Sequence, residues 1–199
     1  MIEEVELKAV VPDPDVCRAH VERAGAARVL AGRMVDRRWD LAHRPLAARD
    51  EVVRVRTVTP VGGAPRAVLD WKGPTTYAGG YKRRAERSTG VEDGAMLETI
   101  LAAAGFVVTR EIERDVVQYA LGDATLRFEW YPRMDVLLEV EGPERAIEAA
   151  IHVTGLPRAS FTTARLAEMA ADFERRTGAR AALCARELDA PSPYRFSDG

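Results

Sequence analysis

An α+β fold built on a sheet with one charged face is what this sequence predicts, on three observations. Charged side chains recur on alternate residues in several short segments, apolar stripes at helical spacing lie between some of them, and Gly/Pro-rich loops join others. Alternation at a period of two places all the charges of a segment on one face of a strand. The first such strand is Glu4-Val5-Glu6-Leu7-Lys8. Glu and Lys are poor strand formers, so a face made of two Glu and a Lys needs a reason. After the Pro12-Asp13-Pro14 stop, Val16, His20, Val21 and Ala24 recur at helical spacing up to Gly25, which predicts a first helix.

Val53-Arg54-Val55-Arg56 places two guanidiniums on one strand face. The stretch from Pro60 to Pro65, with Gly62 and Gly63, reads as a hairpin loop. Leu69-Asp70-Trp71-Lys72 follows with an acid and an amine on one face, and Gly73-Pro74 through Gly79-Gly80 is a second, longer loop. Lys82, Arg84 and Glu86 share a parity, as do Arg127 and Glu129, and Leu138-Glu139-Val140-Glu141 ends the series with two carboxylates. Between them a second helix runs from about Asp93 through Met96, Leu97, Ile100, Leu101 and Ala104 to Gly105. Pro143 suits the first turn of a third helix with an Ala146, Ile147, Ala150, Ile151 stripe. A fourth begins after Ser160-Phe161-Thr162-Thr163 and carries Leu166, Met169 and Phe173.

Two arrangements satisfy these strands. In an open sheet the charges face water, and Val5, Leu7, Val53, Val55, Leu69, Trp71, Leu138 and Val140 supply the core behind them. In a closed barrel they line a wet lumen and neutralise one another. A ladder of ion pairs with no ligand would use the same residues, although buried charges of that kind are costly. The segregation by sign favours a ligand: carboxylates cluster on the first and last strands, Arg and Lys on the middle ones. Arg and Lys clamp phosphate oxygens and carboxylates hold hard divalent ions, which is what a metal-bound polyphosphate requires.

Glu4-x-Glu6-x-Lys8, Arg54-x-Arg56, Lys72-Gly73-Pro74, Arg84-x-Glu86 and Glu139-x-Glu141, in this order, resemble the CYTH superfamily of triphosphate tunnel metalloenzymes. That superfamily includes class IV adenylyl cyclases and thiamine triphosphatases, and the resemblance covers about the first three-quarters of the chain. It implies a closed eight-stranded antiparallel β-barrel forming a tunnel, with helices packed outside, that binds a triphosphate and Mg²⁺ or Mn²⁺. Carried over residue by residue, Glu4, Glu6, Glu129, Glu139 and Glu141 hold the metal. Lys8, Arg54, Arg56, Lys72, Arg84 and Arg114 bind the phosphates, and Glu4, Glu6, Lys8, Lys72 and Glu86 serve catalysis. Asp36 and Asp40, around Arg37, Arg38 and Trp39, resemble an acidic strand of the family; a solvated face is the alternative. Three departures stand out: Glu129 where an Asp is expected, Ser88 where a second acid is expected after Arg84, and Ile112 for one of a late basic pair of which Arg114 is retained. Arg110, of the same parity, is the candidate substitute.

The rest of the chain bounds the function. A length of 199 residues suits one tunnel domain over 1–188 with a flexible tail over 189–199. The 29 basic and 31 acidic residues give a net charge of −2, so no global field draws the protein to nucleic acid or membrane. No apolar run is long enough to span a membrane and no signal-peptide pattern follows Met1, which makes the cytoplasm the default. Cys17 and Cys184 lack metal-ligand spacing and read as free thiols. His20, His43 and His152 lie on helices or a loop without partners of ligand type, and Trp71 and Trp130 read as packing between barrel and helix. The expected partner is a small-molecule triphosphate, namely tripolyphosphate, ATP or thiamine triphosphate; a homodimer stays open. Hydrolysis of the triphosphate ranks first, cyclase chemistry on ATP second, and a non-catalytic binding module third.

Overall fold

The computed structural model describes residues 2–190. Nine strands, β1 (Ile2–Val10), β2 (Ala27–Leu41), β3 (Val52–Pro60), β4 (Arg66–Lys72), β5 (Thr76–Ala78), β6 (Tyr81–Val91), β7 (Phe106–Leu121), β8 (Ala124–Trp130) and β9 (Leu137–Glu141), form one sheet. Its order is β1-β9-β8-β7-β2-β3-β4-β6-β5, and a further pairing of β1 with β6 closes eight of the strands into a barrel. Every pairing is antiparallel. The predicted barrel is therefore present, with β5 as a ninth, outer strand on the edge of β6.

Register explains the division of the two faces. Glu4 and Glu6 of β1 lie opposite Arg84 and Lys82 of β6, and Glu6 and Lys8 lie opposite Glu141 and Glu139 of β9. Arg54 is paired with both Arg38 and Asp70, and Arg56 with Asp36. The alternate residues form the outer face. Val5, Leu7, Ala9, Leu126, Phe128, Leu138 and Val140 are buried there beneath α1 (Pro14–Arg23) and α4 (Glu144–Val153), which contribute Cys17, Val21, Ile147, Ala150 and Ile151. The hydrophobic core thus sits between barrel and helices, and charge fills the inside. Burial of this kind contributes roughly 1.5–3 kcal/mol per large aliphatic side chain.

The helix boundaries follow their caps. The Asp13 carboxylate accepts from the Val16 N–H at 3.0 Å, and Asp93 accepts from the Met96 N–H at 2.8 Å at the start of α3 (Gly94–Ala103), as N-caps do. Gly25 and Gly105 leave α1 and α3 at φ of 87° and 89°, where glycine is needed. Pro143 is the cap before α4 and not within its first turn. The fourth expected helix is α5 (Leu166–Thr177), and a one-turn helix, α2 (Pro45–Ala48), had no periodicity to announce it.

Three elements differ from expectation. The long ribbon of β2 and β7, paired from Ala27↔Ala120 to Leu41↔Phe106, carries mixed and bulged faces that break the period-two pattern. The second long loop contains β5. Trp130 packs on the core and stacks on Phe128 at 6.2 Å, as expected, whereas Trp71 is half-buried beneath the Arg87 guanidinium at 5.1 Å. Both cysteines are buried free thiols. The expected tail over 189–199 falls almost wholly outside the described residues, and no described helix is long and apolar enough to cross a membrane.

Candidate functional site

The barrel encloses a cavity of about 160 Å³ whose described lining includes eleven Lys or Arg side chains and seven Asp or Glu. Cations outnumber acids in this lining, and three of them, Arg54, Arg110 and Arg165, also face acids set behind it, Asp70, Glu187 and Asp50. All of the residues given a metal, phosphate or catalytic role from the sequence, Glu4, Glu6, Lys8, Arg54, Arg56, Lys72, Arg84, Glu86, Arg114, Glu129, Glu139 and Glu141, line it, as does Asp36, whereas Asp40 accepts from the Leu41, Leu46 and Ala47 N–H groups and is not among the lining residues. The charges form two neighbourhoods.

One is acidic and centred on β1 and β9. Glu4, Glu6 and Glu139 are buried and present carboxylate oxygens within 4.8 Å of one another. Three ammonium groups compensate them. Lys8 Nζ lies 2.5 Å from Glu6 and 2.8 Å from Glu139, Lys82 Nζ donates to Glu6 at 2.5 Å, and Lys72 Nζ donates to both Glu4 oxygens at 2.5 Å. Burial and Glu139 push the Glu6 carboxyl up, but Lys8, Lys82 and Lys72 outweigh them and hold it at about 2. Burial disfavours the Lys8 charge, yet Glu139 and Glu6 raise its pKa above the lysine range. Glu141, at the rim of this group, is pushed up to about 7 by burial, then by Glu139 and Glu4. Such a set of hard oxygen donors fits Mg²⁺ or Mn²⁺. Glu129 is engaged elsewhere, accepting from Arg114 Nε at 2.8 Å, Arg127 Nε at 2.9 Å and the Tyr131 hydroxyl at 2.5 Å.

The other neighbourhood is basic and centred on β2, β3 and β7. Asp36 is its hub: Arg56 donates to it from Nε at 2.6 Å and Nη2 at 2.8 Å, Arg114 Nη2 at 3.0 Å, and Arg54 lies 3.5 Å away. Burial raises the Asp36 pKa, but Arg114, Arg56 and Arg54 hold it well below the usual carboxylate range. Arg38, two residues further along β2 on the same face, is depressed to about 10 by burial and the neighbouring Arg54. Cations this crowded favour an anion between them. Arg84 enters from β6, anchored through Nε to the Gly73 carbonyl at 2.6 Å and through Nη2 to the Asp50 carbonyl at 2.7 Å. Glu86 bridges the two regions, 3.5 Å from Lys72 and 3.6 Å from Arg54.

The departures in sequence have local explanations. The Ser88 hydroxyl donates to Asp70 at 2.5 Å, and Asp70 pairs with Arg54 at 2.5 Å, so the carboxylate expected on β6 has its counterpart on β4. Ile112 adjoins Glu113, whose N–H donates to the Leu183 carbonyl at 2.7 Å, and the apolar lining includes Leu166, Ala167 and Leu183. These last three come from the C-terminal region. Thr162 bridges to Lys8, Arg165 pairs with Asp50 at 2.8 Å, and Arg176 pairs with Asp135 in the β8–β9 connection, so α5 spans one end of the barrel. Arg38, Tyr131 and Arg165 are lining residues that period-two reasoning missed. Arg38 shares the parity of Asp36 and Asp40, a signal obscured by Arg37 beside it. Arg165 lies at the start of a helix and offers no strand signal at all.

A closed antiparallel barrel with a charged tunnel is the class this architecture defines, and the chain has the fold of the CYTH superfamily. Three solved structures carry that likeness. A Vibrio parahaemolyticus protein described as a candidate adenylate cyclase superposes with a TM-score of 0.71 at 17% identity, over 83% of this chain and 96% of that one. A Pyrococcus horikoshii protein gives 0.68 at 19% identity, over 85% and 98%. A Hippeastrum protein, described as a candidate adenylyl cyclase with a dominant triphosphatase activity, gives 0.63 at 16% identity, over 90% and 98%. No family model matches the sequence, and no curated protein does.

Proposed function

We propose that this protein is a divalent-metal-dependent enzyme that binds a triphosphate in the barrel and hydrolyses it. The observation that carries the reading is a buried lumen in which eleven Lys or Arg meet seven Asp or Glu among the described lining residues, three of those acids, Glu4, Glu6 and Glu139, being convergent. A triphosphate is the kind of polyanion that so many converging guanidinium and ammonium groups suit. Arg54, Arg56 and Arg114, already desolvated and oriented by Asp36, would exchange some of that contact for phosphate oxygens, while Lys8, Lys72 and Arg84 would hold the chain from the β1, β4 and β6 walls. Preorganised cations of this kind stabilise charge on a transferring phosphoryl group.

Glu4, Glu6 and Glu139 fit a hard divalent cation by donor type and spacing, with Glu141 next to them. When bound, such an ion supplies Lewis-acid polarisation of phosphoryl oxygens. Glu86, 3.5 Å from Lys72 and 3.6 Å from Arg54, would orient a water near the basic wall. Tyr131 is the sole aromatic among the described lining residues, and its hydroxyl is committed to Glu129. Hydrolysis is preferred to cyclisation of ATP because it needs a positioned water where cyclisation needs a positioned ribose.

The deciding experiment is incubation with Mg²⁺ or Mn²⁺ and either ATP or inorganic tripolyphosphate, with products resolved by phosphorus NMR. Hydrolysis releases orthophosphate. Cyclic AMP and pyrophosphate in equal amounts, with tripolyphosphate untouched, would replace the reading with a class IV cyclase. Tight binding without products under either metal would leave a binding module.

A further inference from the structure

After α5 the chain turns at Gly178 and runs along the wall of the barrel where β8 has ended. Ala182 and Arg133 exchange backbone hydrogen bonds at 2.8 and 3.1 Å, the Glu113 N–H donates to the Leu183 carbonyl at 2.7 Å, and the Ala185 N–H donates to the Glu113 carboxylate at 3.0 Å. Leu183 and Cys184 are buried. This strap carries one acid inward. Glu187 is 1% exposed, and one of its oxygens, Oε2, accepts from the Leu183 N–H at 2.7 Å and the Cys184 N–H at 3.3 Å. The other, Oε1, faces Arg110 Nη1 at 3.5 Å. Arg110 is itself 4% exposed and lines the tunnel.

We infer that Glu187 is a tethered anion that withholds Arg110 from the ligand, so that the C-terminal strap sets how strongly the tunnel holds a polyphosphate. The inference rests on the triphosphate reading above. Three observations converge on it. Arg110 has the parity of Arg114 on β7 and lines the same cavity, so its guanidinium is within the tunnel wall. The strap fixes the opposing carboxylate by two backbone donors, so the anion does not have to be ordered when the pair forms. Ile112, between the two arginines in register, adjoins Glu113, whose N–H donates to the Leu183 carbonyl, so the strap lies against the stretch of β7 that carries Arg110, Ile112 and Arg114. A phosphate oxygen and a carboxylate oxygen compete for one guanidinium, and the tethered one wins at low ligand concentration.

The test uses the full chain and inorganic tripolyphosphate as the probe, with binding followed by calorimetry with and without Mg²⁺. Glu187→Gln keeps an acceptor oxygen for the Leu183 and Cys184 N–H groups and removes the charge. It should bind tripolyphosphate about tenfold tighter, the worth of one released charge-assisted contact. Arg110→Gln should cost wild-type affinity much less than Arg54→Ala does, and the double variant should lose the gain of Glu187→Gln, as expected for a coupled pair. Unchanged affinity in a folded Glu187→Gln variant overturns the inference. If Glu187→Gln does not fold, Arg110→Gln decides alone: a loss comparable to that of Arg54→Ala shows that Arg110 already serves the ligand and overturns it, and a much smaller loss supports it. Absence of tripolyphosphate binding in wild type and variants alike removes the triphosphate reading itself.

Discussion

Asp36→Asn attacks the charge hub of the basic wall while keeping the side chain's shape. Asp36 is 2% exposed and receives three hydrogen bonds from two arginines, with Arg54 at 3.5 Å as a third cation. An Asn can accept through one oxygen only, and its amide turns two donors toward guanidiniums that are themselves donors. Breaking a buried pair from one side costs about 3–5 kcal/mol because the partners stay buried and charged. In a chain of this size each kcal/mol moves Tm by roughly 2–4 °C, so a fall on the order of 10 °C is expected. The same change leaves Arg54, Arg56 and Arg114 less neutralised, so added tripolyphosphate should stabilise the variant more than the wild type in thermal unfolding. The pH dependence has a definite sign. The folded-state pKa of Asp36 is depressed, so its stabilisation is fully present above the ordinary carboxylate range and is lost as pH falls through the depressed value. The gap between wild type and variant should therefore narrow in acid. A stability loss below about 1 kcal/mol at neutral pH, or a smaller ligand-induced shift in the variant, would refute the hub argument.

Three further outcomes are expected. Glu6→Gln should remove divalent-dependent turnover of tripolyphosphate, ATP and thiamine triphosphate, because it takes one carboxylate from the trio and leaves Lys8 and Lys82 facing each other; full turnover in the variant would exclude Glu6 from the metal set. Arg54→Ala and Arg56→Ala should each weaken ATP binding by about tenfold or more, and AMP binding far less, since charge-assisted contacts accumulate with each phosphate; equal losses for both nucleotides would show that the two arginines bind something else. Cys17 and Cys184 are buried, and burial with a nearby acid pushes each thiol up to about 11, so neither should react with a thiol reagent at neutral pH until the protein unfolds; rapid labelling of the folded chain would contradict the packing around α1 or the strap.

Much of this architecture could be read from the order of residues, and the reason is local. A period of two needs only a few consecutive residues to declare itself, which is why β1, β3, β4, β6, β8 and β9 each announced a charged face. Caps and stops such as Asp13, Gly25, Asp93 and Gly105 act within one turn, and α1 and α3 begin and end beside them. What lay beyond the sequence depends on closure. Whether Glu4 and Lys72 face water or each other is settled only when β1 meets β6, and that pairing joins segments about eighty residues apart. The trio of Glu4, Glu6 and Glu139 exists because β9 pairs with the other edge of β1. The hub role of Asp36 depends on β2 lying between β3 and β7, which gathers Arg54, Arg56 and Arg114 around one carboxylate. At the C-terminal end the Leu166, Met169 and Phe173 spacing announces α5 but not where it lies, and the strap after it has no periodic signature. Leu166, Leu183 and Glu187 acquire their positions from the path of α5 across the barrel end and of the strap along β7, contacts that no spacing within their own segments encodes.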